Sequence, residues 1–333
     1  MPHPSTARRA ARHAIRAPER WLGRFETTLP VGDLEQLVRI GPEEPSAHDF
    51  AGLWDEVLRL YQGGLHPAVG LTVFHRGRCV LDRTVGHVDH QPGETPGAVV
   101  ELDTPFNLFS ASKILTAMLI HALAEDHLID LDRRVDHYLP GFGVHGKGHI
   151  RVRHLLNHTA GIPDMPTGID LVAALRTGNI PWEALYDLKP QWEPGRAHAY
   201  HAVTSWVLLQ QIAEQVTGSD LQTLLRTRLI EPAGIEGLTY GVPADQVARV
   251  AKHAYTGIAA PRLMAEIFER NIGVDLDTAV HLTNSPEFLT GCCRLPTSAA
   301  PVGRCARSCS SCSTAAGRWT ARGCCRRRRS RTR

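Results

Sequence analysis

The feature that most limits what this chain can fold into is its C-terminal stretch. From Gly291 to Arg333 it contains no Ile, Phe, Met, Tyr, Asn, Gln, Asp, Glu, Lys or His. Residues 292–333 hold 11 arginines and seven of the chain's 8 cysteines (Cys292, Cys293, Cys305, Cys309, Cys312, Cys324 and Cys325). A stretch dominated by Arg, Ala, Ser, Gly, Cys and Pro has too little apolar area for a core, so the packed body must come from what precedes it. This assortment is what a GC-rich coding sequence yields when read out of frame, and a frameshift near Leu289–Cys292 is favoured over a genuine tail. A basic nucleic-acid arm is a rival reading. A metal site is another, since Cys305-x-x-x-Cys309-x-x-Cys312 has the spacing of an iron–sulfur loop, but no alternation of strands and helices surrounds it.

Setting those 11 arginines aside leaves 26 of the 37 Lys+Arg against 34 acids, a charge of −8. With only Cys79 before residue 292, the body reads as a mildly acidic chain of a reducing compartment, and a cytoplasmic location is expected. No apolar run reaches the roughly 18–20 residues that a bilayer requires. The N-terminus carries Arg8, Arg9, Arg12, Arg16, Arg20 and Arg24 without the apolar segment of a secretory signal, so residues 1–45 read as a basic extension.

Along the body, Ser46 to Gly63 has helical spacing (Phe50, Leu53, Trp54, Val57, Leu58, Tyr61), with Ser46 as its N-cap. Val69–Phe74 and Cys79–Val85 flank Arg76-Gly77 as a hairpin. Further helices are expected at Ile169–Arg176, Pro181–Tyr186, Ala202–Thr217 with Gly218 as C-cap, and Asp220–Leu229, while Asp277–Leu289 is ambiguous.

Phe109-Ser110-Ala111-Ser112-Lys113 opens an apolar helical run to about Asp126, for which Ile114, Leu115, Met118, Leu119 and Leu123 are the expected buried stripe. Residues three apart share a helix face, so the Lys113 amine can reach the Ser110 hydroxyl. A serine hydroxyl becomes a competent nucleophile once a nearby base takes its proton, and a desolvated lysine is such a base. Tyr200, at the start of another apolar run, offers a phenol whose proton an adjacent ammonium makes easier to lose. Gly141-Phe142-Gly143-Val144-His145-Gly146 fits a dinucleotide fingerprint but neither leaves a strand nor opens a helix, so it is a loop. His154 and His158 lack a third ligand and read as structural.

The hairpin, Ser110-Ala111-Ser112-Lys113, Leu155-Leu156-Asn157-His158-Thr159-Ala160-Gly161, Trp192-Glu193-Pro194-Gly195, Tyr200 and Pro232-Ala233-Gly234-Ile235 together resemble the serine β-lactamase/penicillin-binding-protein superfamily, in its class C-like esterase branch. The resemblance covers roughly residues 45–290. It implies an α+β fold of β-lactamase/transpeptidase type, an antiparallel sheet flanked by helices beside a helical domain, with the C-terminal sheet strands missing here. It divides the chain into the extension 1–45, an incomplete hydrolase domain 46–291 and an aberrant or disordered tail 292–333. It makes Ser110 the nucleophile, Lys113 its activating partner and Tyr200 the general base, with no cofactor or metal. The expected partner is a small-molecule ester; no nucleic acid is expected and the oligomeric state is left open.

Two departures bear on activity. The family's Tyr-x-Asn reads Tyr200-His201-Ala202, so His201 and Ala202 occupy the substrate-binding positions, with His201 as a compensating donor or a structural residue. Loss of the amide weighs against β-lactam or peptide substrates. A Lys/His-x-Gly strand is also absent, since no Lys or His follows His281. The reading is therefore an esterase acting through an acyl-enzyme, against a non-catalytic remnant or an amide hydrolase.

Overall fold

The computed structural model describes residues 31–41, 50–90, 95–166, 168–169, 182–257, 260–290 and 298–301. Ser46 and the helix expected at Ile169–Arg176 lie largely or wholly outside them.

The first sheet is built on the hairpin. β2 (Ala68–His75) and β3 (Arg78–Gly86) pair antiparallel, with an irregularity in register between Val73 and Phe74. Arg76 and Gly77 turn the chain with φ of 51° and 76°, the doubly left-handed backbone that matches strand twist in a two-residue turn. The third strand comes from the stretch expected as the 1–45 extension: α1 (Val31–Leu37) leads into β1 (Arg39–Ile40), which pairs with β3. Leu34 and Leu37 are buried with Trp54 and Tyr61 of α2 (Ala51–Gln62) and with Leu81 and Val85. The packed body thus begins well before residue 46.

A second sheet has the order β4 (Pro105–Asn107), β6 (Ser298–Pro301), β5 (Thr239–Tyr240), both pairs antiparallel. Four residues of the stretch read as an aberrant tail therefore supply its middle strand.

The helical layer packs around α6 (Thr204–Thr217), whose Trp206, Val207, Leu208, Leu209, Ile212 and Ala213 are all buried. Against it lie Leu119, Ile120 and Leu123 of α3 (Lys113–Glu125), Val135 of α4 (Val135–Tyr138), and Val152 and Leu155 of α5 (Val152–Leu156). Each fully buried Leu or Ile contributes about 1.5–3 kcal/mol, so this layer is the rigid floor of what sits above it. Gly218 ends α6 with φ 68°. Asp220 caps α7 (Leu221–Leu225) by accepting the Thr223 N–H. The chain continues through a π-turn at Arg226–Ile230 into α8 (Glu231–Ala233), where the sequence suggests one plain helix. α9 (Arg262–Ile272) has no counterpart in the sequence reading. The ambiguous segment after it divides into α10 (Leu276–Thr283) and α11 (Pro286–Leu289).

The phase of α3 differs from expectation. Ile114 and Met118 are 65% and 46% exposed, while Lys113, Thr116, Leu119, Ile120 and Leu123 are buried. The helix is rotated so that its lysine, and not its most apolar flank, faces inward.

Lys147, in the glycine loop, is 1% exposed. Its ammonium donates to the carbonyls of Val144 (2.9 Å), Tyr186 (2.5 Å) and Leu188 (2.6 Å). Three donors meet three acceptors, which is how a cation is accommodated without a carboxylate. The loop is a clasp between two segments and resembles no phosphate cradle. Among the described residues no helix is long and apolar enough to cross a membrane.

Candidate active site

β4 delivers the chain to a turn of 3-10 helix, Phe109–Ser112, that runs directly into α3. Three residues make one turn of such a helix, so Ser110 and Lys113 eclipse each other. Lys113 Nζ donates to Ser110 Oγ at 3.0 Å. Phe109, just before the serine, has φ 44°, a left-handed conformation costing a bulky residue roughly 1–3 kcal/mol. Its neighbours hold it there. Its N–H donates to Asn107 Oδ1 at 3.0 Å, its carbonyl accepts from Ser112 Oγ at 2.5 Å, and its ring lies 4.4 Å from that of His253. The His253 backbone is fixed in both directions by Asn284, at 2.8 and 2.7 Å.

Tyr200 reaches the same point from the other side. Its segment lies along His158–Thr159, with the Ala199 N–H on the His158 carbonyl (3.2 Å) and the Gly195 N–H on the Thr159 carbonyl (2.9 Å). Its hydroxyl donates to Ser110 Oγ at 2.7 Å. The three residues assigned to chemistry from the sequence are therefore brought together on one oxygen.

Lys113 is 9% exposed, and among the described residues no carboxylate forms an ion pair with it. It lies 5.4 Å from the Tyr200 ring centroid and 5.7 Å from that of Trp206. Burial lowers its pKa from the usual lysine range, an effect that the Tyr200 phenol opposes. Desolvation penalises the charged amine, so the neutral base is reached at a lower pH than for a solvated lysine. One turn on, Thr116 Oγ1 shares a 2.9 Å hydrogen bond with the Tyr240 hydroxyl. Burial pushes that phenol up to about 12, with the threonine bond opposing.

His201 and Ala202, the expected substrate-binding positions, are both buried. The His201 side chain is fully buried. Its Nδ1–H donates to the Ala199 carbonyl at 2.6 Å and its Nε2 accepts the Ile162 N–H at 2.9 Å. With both ring nitrogens engaged, it ties the Tyr200 segment to the loop after Gly161. The Ala202 methyl is buried in the helical core. Burial, a neighbour's hydrogen-bond demand and the absence of a polar atom decide these two positions.

The sequence alone makes His158 a structural histidine and gives no role to Trp206. Trp206 lies six residues after Tyr200 on the helix that follows, and His158 lies in the Leu-Asn-His-Thr segment that hydrogen-bonds to the Tyr200 segment. No group of three or more His, Cys, Asp or Glu able to hold a metal occurs among the described residues.

The family model described as Beta-lactamase matches residues 56–276. The chain belongs to the beta-lactamase family. It is 36% identical over 185 residues to the Esterase/beta-lactamase LipL of Mycobacterium tuberculosis, covering 55% of this chain and 41% of that protein. It is 29% identical over 188 residues to the monacolin J acid methylbutanoyltransferase of Aspergillus terreus, covering 49% and 45%. The structure of EstA from Arthrobacter nitroguajacolicus matches with a TM-score of 0.59 at 26% identity, covering 79% of this chain and 67% of that one. The chain spans less than half the length of these two curated relatives. This beta-lactamase-family protein has a mixed α+β fold, and the two relatives bear esterase/beta-lactamase and methylbutanoyltransferase names.

Proposed function

We propose that this protein is a serine hydrolase that cleaves small carboxylic esters through an acyl-enzyme on Ser110. The observation that carries the proposal is the convergence of a buried amine and a phenol, 3.0 and 2.7 Å away, on one serine oxygen.

The chemistry follows from that geometry. Neutral Lys113 or deprotonated Tyr200 takes the Ser110 proton as Oγ bonds to the ester carbonyl carbon. Negative charge then builds on the carbonyl oxygen. The Ser110 amide, at the beginning of a helical turn where N–H groups lack intrahelical acceptors, supplies a donor for it. Collapse breaks the bond to the alcohol, which leaves with the proton. A water then gives its proton to the same pair, attacks the acyl carbon and frees Ser110, which recovers its hydrogen.

Esters are favoured over amides on physical grounds. An alkoxide leaves with little help, whereas an amine must be protonated by a well-placed donor. Ala202 offers no such donor, and His201 spends both ring nitrogens internally. The cysteine-poor body supports a cytoplasmic location within the same proposal.

The test is hydrolysis of p-nitrophenyl acetate and butyrate by the full chain and by Ser110→Ala, with nitrocefin as the amide-type comparison. Ester turnover that Ser110→Ala abolishes, with little on nitrocefin, is the expected result. Equal rates for the two proteins remove the proposal.

A further inference from the structure

Histidine 158 lies at the centre of the side chains that surround the reactive pair, yet the mechanism above gives it no step. Its ring centroid is 5.0 Å from Tyr200, 5.6 Å from Trp206, 5.9 Å from His201 and 6.0 Å from His198. Tyr200 and Trp206 are the two aromatic rings that face the Lys113 ammonium. His158 is thus the wedge behind both walls of the lysine's enclosure.

Its backbone and ring are each held in an unusual way. His158 has φ 59°, a left-handed conformation that a residue with a Cβ adopts only under constraint. Its carbonyl accepts the Ala199 N–H, one residue before Tyr200, and its Nδ1 accepts the His201 N–H at 3.1 Å, one residue after it. The residues on both sides of Tyr200 are therefore tied to a single histidine through their N–H groups. Because Nδ1 accepts, the neutral ring carries its proton on Nε2.

We infer that His158 is a positioning residue for the catalytic pair: its neutral ring and its two backbone-directed bonds fix the Tyr200 phenol against Ser110 and close the aromatic walls around Lys113. This inference rests on the role proposed above for Tyr200. A second cation at this point would face Lys113 across a few ångströms of protein, and the ring's surroundings keep it neutral. Burial, then His201, His198 and Lys113, lower its pKa to about 4. These three basic groups, with the Tyr200 phenol and the Trp206 indole, are the groups that face it from the Tyr200 segment, α3 and α6.

The acceptor and the ring can be removed separately. His158→Phe keeps an aromatic wedge and loses the acceptor for the His201 N–H, while His158→Asn keeps an acceptor and loses the wedge. His158→Ala loses both. On p-nitrophenyl butyrate, kcat in His158→Ala is expected to fall about 10–100-fold, the range that a displacement of about 1 Å produces. KM should stay within about twofold, and Phe and Asn should each restore part of the rate. The second readout does not depend on turnover. With tyrosine labelled with 13C at Cζ, the Tyr200 resonance, assigned by its loss in Tyr200→Phe, should shift or broaden in His158→Ala and return part-way in the Phe and Asn variants. An unmoved resonance with an unchanged kcat overturns the inference. If the wild-type chain turns over no ester, the esterase proposal fails and the resonance alone decides the role of His158. If His158→Ala does not fold, wild-type resonances in both folded Phe and Asn variants likewise overturn it.

Discussion

Replacing Tyr200 by phenylalanine removes one oxygen and little else, which makes its consequence calculable. The lost bond is the 2.7 Å contact to Ser110 Oγ. The ring that faces Lys113 at 5.4 Å and His158 at 5.0 Å remains. A positioned general base contributes about 10²–10⁴ in rate, and at 1.36 kcal/mol per decade this is roughly 3–5 kcal/mol of transition-state stabilisation. Stability should respond far less. Tyr200 is 45% exposed, and a partly solvated hydrogen bond is worth about 0.5–1.5 kcal/mol net. The signature is thus a kinetic loss several times larger than the loss of folding free energy. Stopped-flow release of p-nitrophenol reads acylation as a burst and deacylation as the steady rate, and guanidinium unfolding of the same samples reads stability. Both phases should slow by at least 100-fold in Tyr200→Phe, because in the proposed mechanism the same phenol serves both half-reactions. A kcat/KM within about threefold of wild type would refute the base assignment. A loss of rate matched by an equal loss of folding free energy would make the hydroxyl a structural group.

Two further outcomes follow from the surrounding scaffold. Gly161 has φ +85°, and a Cβ added there would lie 2.6 Å from the Trp192 carbonyl oxygen. Left-handed strain of about 1–2 kcal/mol plus a backbone displacement should make Gly161→Ala about 2–4 kcal/mol less stable in guanidinium titrations, and unchanged stability would show that the loop relaxes freely. His158 and His253 are each lowered to about 4, chiefly by burial. Both are neutral when folded and titrate near 6.5 when unfolded, so stability is complete above pH 6.5, is lost as pH falls from there towards 4, and changes no further through these groups below it. After solvent screening the loss is about 1–2 kcal/mol for each, and His253→Gln should flatten the unfolding free energy between pH 7 and 4.5 by that amount. An unchanged slope would show that the imidazole is already solvated.

Local chemistry made some elements legible. The β2–β3 hairpin declares itself by β-branched residues around Arg76-Gly77, and α6 by its apolar run ending at Gly218, because in each the backbone demand and the side-chain pattern agree. β6 is different. Ser298-Ala299-Ala300-Pro301 has no strand pattern, and its pairing with β4 and β5 is made by backbone groups that carry no side-chain signature. The same holds for β1, two residues long, whose place depends on β3 some 40 positions away. α9 does carry a helical pattern, Leu263, Met264, Ile267 and Phe268, although none of its residues is buried.

The site separates into a part that spacing can reveal and a part that it cannot. Ser110 and Lys113 are three apart on one turn, so their meeting is a local consequence of helix geometry. Tyr200 required knowledge that 90 intervening residues fold back onto that turn. The misplaced apolar stripe of α3 has the same origin. A hydropathy pattern ranks Ile114 and Met118 above Lys113, yet the helix turns its lysine inward because the rings of Tyr200 and Trp206 receive the ammonium there. Burying an amine in that way is unfavourable for stability unless the enclosure compensates, and the same burial is what lowers its pKa. His201 shows the converse. Its position beside Tyr200 suggests contact with substrate, but the unpaired Ile162 N–H and Ala199 carbonyl would each cost about 1–3 kcal/mol if left buried without a partner. The ring therefore turns inward to satisfy them, and the segment that holds Tyr200 at the surface is tied down by a buried histidine.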